Sequence, residues 1–351
     1  MCYYGTWAAR FPGVGKFTVN DVNTTLCTHL MYAFAGINEE GEMISLDPQL
    51  DLSDNGGQDN FRKFTALKLK NPKLKTILSV GGWNEGSRKY SKMAGNATLR
   101  ANFIRTAMKV LLDCGFDGLD MDWEYPTARD TVYGAADVDH FTQLLTELKY
   151  TFEPYGLLLT AAVAAVKNSA SVFYDIPAIS KYLDYINIMT YDLHGSWDDV
   201  TGYNAALFRT KDEADTPLDS LFIGQAAIEF WISAGAPRNK ILMGVPGAGI
   251  TGPFSGENGT IGYNEFCDEQ LKVKPWNVVY DNYAQVPYAY LGNDWVSYDN
   301  VRSIVAKTEY IKNQKLAGVM IWSIETDDFH PLCGKTKSPL LFSINCALGR
   351  I

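Results

Sequence analysis

The chain has 351 residues, 46% of them hydrophobic and 20% charged, the composition of a soluble globular protein with a large core. A formal net charge of -9 argues against nucleic acid or an anionic membrane as partner, and no apolar run reaches transmembrane length. Abundant Tyr and Trp suit a surface that grips sugar rings or other flat apolar faces.

Short β-rich runs recur along the chain at 2–8, 28–37, 75–83, 116–125, 157–164, 185–192, 240–246 and 317–325. Between them lie amphipathic segments, among them 97–115, 137–152, 219–235 and 299–314, with apolar residues at helical spacing. Eight apolar strands alternating with helices predict a parallel sheet buried on both faces. The count of eight points to an α/β fold of the (β/α)8 TIM-barrel type; an open doubly wound sheet stays possible, although no Gly-rich phosphate loop follows the first strand. The rhythm breaks over 247–298, rich in Gly, Tyr and Val, where a small β-rich (α+β) insertion is expected between the seventh and eighth strands. The barrel itself is then assigned to 1–246 and 299–351.

Six cysteines and sequons at Asn23, Asn96 and Asn258 lean towards an oxidising, glycosylating compartment. The first residues carry no secretory signal, so the sequence is expected to start inside a longer precursor of an extracellular protein. Cys2 and Cys27 open the first two strands, neighbours in a barrel, and are placed for a bridge; spacing alone settles no pairing. Cys114 and Cys346 have no evident partners.

The most informative stretch is GFDGLDMDWEYP, residues 115–126. On a strand, side chains alternate between faces, so Asp120, Asp122 and Glu124 share one face and Leu119, Met121 and Trp123 the other. The apolar set packs under the helices. The carboxylates then point into the barrel, with Glu124 at the C-terminal end, where such barrels carry their active sites. Asp117 has the opposite parity and a structural or loop role. Three carboxyl groups in a confined interior cannot all ionise cheaply, so at least one keeps its proton near neutral pH, as a general acid requires. A metal site and a structural role are the alternatives. His29, His140, His194 and His330 show no ligand-like spacing, and neither metal nor cofactor is expected.

FDGLDMDWEYP resembles the DxxDxDxE signature of glycoside hydrolase family 18, the chitinases and chitinase-like lectins. CYYGTWA, CTHLMYAFAGI, SVGGWN, MTYDLHGSW, GVP and GVMIWSIETDDF resemble the family's strand motifs in the family's order. The resemblance implies an endo-acting, retaining chitinase in which Glu124 protonates the glycosidic oxygen and the substrate's own N-acetyl oxygen attacks the anomeric carbon. It further implies that Asp122 turns towards Glu124 or the acetamide, that Asp120 shares a proton with Asp122, and that Tyr191 holds the acetamide, with Asp192 and Met189 lining the same subsite. Trp322 forms the floor under the cleaved sugar, and Trp83 stacks at a more distant subsite beside Gly82 and Asn84. Tyr125, Tyr3 and Phe34 surround the centre, although Tyr3 and Phe34 fit a core role equally well. Cys267 and Cys333 resemble the family's second bridge. Chitin or chito-oligosaccharides are the implied partners, and a monomer the expected state. After GVP the sequence departs from the family pattern: a block carrying a sugar-contacting Tyr and Arg is absent before the Gly-rich segment, which leaves a non-catalytic chitin-binding lectin as the alternative.

Overall fold

The computed structural model describes residues 1–246 and 262–351, apart from the side chains of 268–270. Its strands in chain order are β1 (Cys2–Gly5), β2 (His29–Ile37), β3 (Met43–Ser45), β4 (Lys75–Gly81), β5 (Gly118–Asp122) and β6 (Leu158–Ala164). They continue as β7 (Tyr185–Met189), β8 (Ile241–Pro246), β9 (Asn277–Asp281), β10 (Val286–Leu291), β11 (Asp294–Ser297) and β12 (Gly318–Trp322). The order β1-β12-β8-β7-β6-β5-β4-β2 closes through β1–β2 pairing into a barrel of eight parallel strands. β3 adds an antiparallel strand to the end of β2. All eight expected strands are present, and the closed barrel replaces the open sheet.

Helices cover the outside for the reason the pattern gave. In Asp137–Phe152 the buried positions include Phe141, Leu144, Leu145, Leu148 and Phe152, a single apolar stripe facing the sheet. Each such side chain contributes about 1.5–3 kcal/mol over its exposed state. The helix Ala97–Cys114 starts where Asn96 accepts from the amides of Thr98 and Leu99, and it stops at Gly115 in the left-handed region. Asn96 and Asn23 are exposed, whereas the third sequon, Asn258, lies outside the described residues.

Between β8 and β12 the strands β9, β10 and β11 form a separate antiparallel sheet. It docks on the long segment after β7: the amides of Leu207 and Phe208 donate to the Ala284 carbonyl, and Tyr203 packs on Tyr288 and Trp295. The block expected to be missing after Pro246 falls at 247–261, outside the described residues. The two expected disulfides, Cys2–Cys27 and Cys267–Cys333, are formed. Cys114 and Cys346 are free thiols. No described helix is long and apolar enough to cross a membrane.

Candidate active site

β5 alternates as its sequence requires. Leu119, Met121 and Trp123 are buried in the layer between sheet and helices, where the Trp123 indole N–H donates to Ser87 Oγ at 2.7 Å. Asp120 and Asp122 point the other way, into the lumen, and both are buried. Strand register then decides what each carboxylate meets. Ser79 on β4 and Thr160 on β6 are the lateral partners of Asp120. Ser79 Oγ donates to Asp120 Oδ2 at 2.7 Å and Thr160 Oγ1 to Oδ1 at 2.5 Å. From across the lumen the Tyr3 hydroxyl donates to Oδ2 at 2.7 Å and Asn187 Nδ2 to Oδ1 at 3.2 Å.

Asp120 is therefore an acceptor with four neutral donors around it. Burial pushes its carboxyl upward, and the bonds from Thr160, Tyr3, Ser79 and Asn187 pull it back. No hydrogen bond joins it to Asp122 in this geometry, where four donors surround its two oxygens. Asp122 has the opposite surroundings. Its Oδ1 is buried without a partner. Desolvation first, then the charges of Glu124 and Asp120, hold its carboxyl well above the ordinary range.

Glu124 stands half-buried two residues past the strand end. Burial pushes its carboxyl up to about 7 and Asp192 adds to this, while the Tyr125 hydroxyl and Arg129 act downward. Asp117 confirms its separate role at the other end of β5. It pairs with Lys68 and accepts from Thr76, and these bonds outweigh burial and lower its carboxyl.

Tyr191, Met189 and Trp322 lie together in the lumen cluster above this floor. Tyr191 is buried, and its hydroxyl points at Met320 Sδ, 3.7 Å away. Gly244 opposite it is required small, because a Cβ there would lie 2.8 Å from the Tyr191 ring. Asp192 adopts a positive φ of 51° at the mouth and accepts from Asn204 Nδ2 at 2.9 Å. The cleft walls push its carboxyl up, and Asn204 offsets part of that.

Trp322 is half-buried and stacks on Phe34, with centroids 5.6 Å apart and planes 23° apart. Trp7 lies against both. Tyr3 meets Trp322 edge-on, yet it is only 1% exposed and spends its hydroxyl on Asp120. It belongs to the floor beneath the cleft, the core placement that was one of its two expected roles. Tyr125 stacks on Phe173 at 5.1 Å. Trp83 and Asn84 are exposed on the rim, Trp83 by 58%. Gly82 has φ 87°, and a Cβ there would lie 2.6 Å from the Phe34 ring, so only glycine lets the rim turn over the aromatic floor.

Sequence reasoning missed Ser79, Thr160, Asn187, Trp7 and Arg129, and it did not single out Trp197, 65% exposed on the loop after β7. The first three were inside runs read only as barrel strands, where alternation along β4, β6 and β7 could have flagged them as inward-facing polar residues.

An inward acidic strand that ends at the C-terminal mouth of a closed (β/α)8 barrel lies where such barrels carry their active sites. The model for glycosyl hydrolases family 18 matches residues 1–327, and the chain belongs to that family. It is 39% identical to "Probable chitinase 2" of Drosophila melanogaster, over 95% of this chain and 73% of that protein. The Group IV chitinase of Ostrinia furnacalis, crystallised with allosamidin, superposes with a TM-score of 0.95 at 49% identity, covering 99% of this chain and 98% of that one. Human YKL-39, described as a pseudo-chitinase with retained chitooligosaccharide binding properties, superposes at 0.89 with 33% identity, over 99% and 98% of the two chains.

Proposed function

We propose that this protein is an endo-acting chitinase that cleaves β-1,4 N-acetylglucosamine linkages by substrate-assisted retaining catalysis. The observation that carries the reading is the graded set of carboxylates on one face of β5: Asp120 satisfied by four donors, Asp122 buried with an open oxygen, and Glu124 at the rim with its carboxyl raised to about 7. Glu124 is protonated where the cleft is entered and donates its proton to the leaving glycosidic oxygen. The acetamide oxygen of the sugar on the other side of the bond attacks the anomeric carbon, forming a cyclic oxazolinium ion that water then opens.

Asp122 accepts the acetamide N–H through its unpartnered oxygen and so holds the acetamide for attack as positive charge develops on the ring. Tyr191 positions the acetamide with Met189 and Asp192. Trp322, backed by Phe34 and Trp7, is a floor for the sugar at the cleavage point, and Trp83 with Asn84 extends the cleft outward. The described residues 262–298 form an insertion on a barrel made by 1–246 and 299–351. The two disulfides suit a secreted protein. The protein acts as a monomer on a neutral polymer, to which its negative charge is indifferent.

The rival reading is a lectin that binds chito-oligosaccharides without cleaving them, as YKL-39 is described. The acid at position 124 favours hydrolysis. Glu124→Gln decides between them: turnover of a fluorogenic chitobioside should fall by about 10²- to 10⁴-fold while oligosaccharide binding persists. Wild-type protein that binds oligomers and never cleaves them would establish the lectin instead.

A further inference from the structure

The loop after β5 is fastened to the loop after β4 by three links. Ser87 Oγ donates to the Tyr125 carbonyl at 2.7 Å, and the Ser87 amide donates to Asp130 Oδ1 at 2.9 Å. The third link is Arg129, held at a positive φ of 66°. Its Nη1 donates to the Trp83 carbonyl at 2.6 Å and to the Glu124 carbonyl at 3.1 Å, and its guanidinium carbon lies 3.9 Å above the Trp83 ring centroid. An otherwise solvated arginine on an exposed loop has no need of such an arrangement. Here one planar cation covers one face of the rim tryptophan and ties its backbone to that of the acid.

We propose that Arg129 is a positioning residue that fixes the Trp83 indole as a one-faced sugar platform and couples that platform to Glu124, so that recognition of longer chito-oligosaccharides depends on it. This rests on the reading of Glu124 as the general acid. A free indole at the rim samples several rotamers, and the guanidinium, stacked and doubly bonded, selects one. Arginine suits this where lysine would not, since a planar guanidinium can lie flat on the indole while its Nη1 reaches both carbonyls. The same cation faces Glu124 together with Asp122 on its own strand, Tyr125 beside it, Tyr174 from the segment after β6, and Tyr191 and Asp192 from the loop after β7. Arg129 is the positive charge in that set, and removing it disfavours the ionised acid.

The test compares Arg129→Ala and Arg129→Lys, alone and in the Glu124→Gln background. Binding of N-acetylchitohexaose and N-acetylchitobiose is measured by calorimetry and the pH profile by turnover. Arg129→Ala should weaken hexasaccharide binding about tenfold and disaccharide binding distinctly less, and it should move the alkaline limb of kcat/KM to higher pH. Arg129→Lys should return the limb towards the parent position while recovering only part of the hexasaccharide affinity. Hexasaccharide affinity within about twofold of the parent in both backgrounds would overturn the proposal. Equal losses for both lengths together with a lowered melting temperature would also overturn it, marking a purely architectural arginine. The binding arm needs no turnover, so it decides the role of Arg129 even if Glu124→Gln proves as active as wild type and the acid reading fails.

Discussion

Asp120 on the lumen floor and Asp122 on the way to the rim stand two residues apart on one face of one strand, both closed off from water. The floor is finished: Ser79, Thr160, Tyr3 and Asn187 direct four donors at Asp120, and such charge-assisted bonds are each worth about 1.5–3 kcal/mol. The rim is unfinished, with an unpartnered oxygen on Asp122, a raised carboxyl on Glu124 and an exposed indole at Trp83. A buried polar atom left without a partner costs stability, and sites that bind and react are where such costs are tolerated. The floor holds a charge in place, while the rim waits for a ligand to complete it.

Breaking each half should have different consequences. The largest effect is expected at the rim. Asp122→Asn should lower kcat on a chitobioside by about 10²- to 10³-fold with little change in KM, because an amide, unlike a carboxyl, cannot change its protonation as positive charge develops on the sugar. A matching rise in KM with kcat intact would show that Asp122 serves binding alone.

On the floor the expected loss is in folding. Asp120→Asn replaces one acceptor oxygen by an amide group that faces donors, leaving at least one buried donor unsatisfied at about 1–3 kcal/mol. Urea denaturation should record that loss, and an unchanged midpoint would mean the floor is not the anchor described.

A smaller and opposite effect separates rim from floor. The Glu124 carboxyl is raised from 4.5 to about 7, so its favourable contribution to stability is complete below about pH 4.5 and disappears as pH rises through 7. Glu124→Gln carries no charge to bury, and above neutrality it should be more stable than wild type. Melting curves at acid and alkaline pH check this; a variant equally destabilised at both would contradict it.

The contrast also explains what could be read from the sequence. Alternation along 119–124 was enough to aim Asp120 and Asp122 into the lumen and Trp123 outside it, because strand parity is a local property. The eight strands followed from apolar runs, and the family resemblance supplied Cys267–Cys333, which spacing could not. The partners of Asp120 were hidden because they sit on four other strands, β1, β4, β6 and β7, and only register brings Ser79 and Thr160 level with it. With its neighbours unseen, the four donors around Asp120, Tyr3 among them, could not be read from the sequence. Arg129 follows the strand in an irregular loop, and neither its stacking on Trp83 nor its bridge to Glu124 leaves a periodic trace.

The most direct test of the central claim, that Glu124 keeps its proton into the neutral range until a linkage arrives, is the pH dependence of kcat/KM on an uncharged chitobioside. Protonated Glu124 is the active form, so activity should fall with a limb centred at about 7. A limb at the ordinary glutamate value near 4.5 would show a carboxyl that ionises freely and would contradict the account.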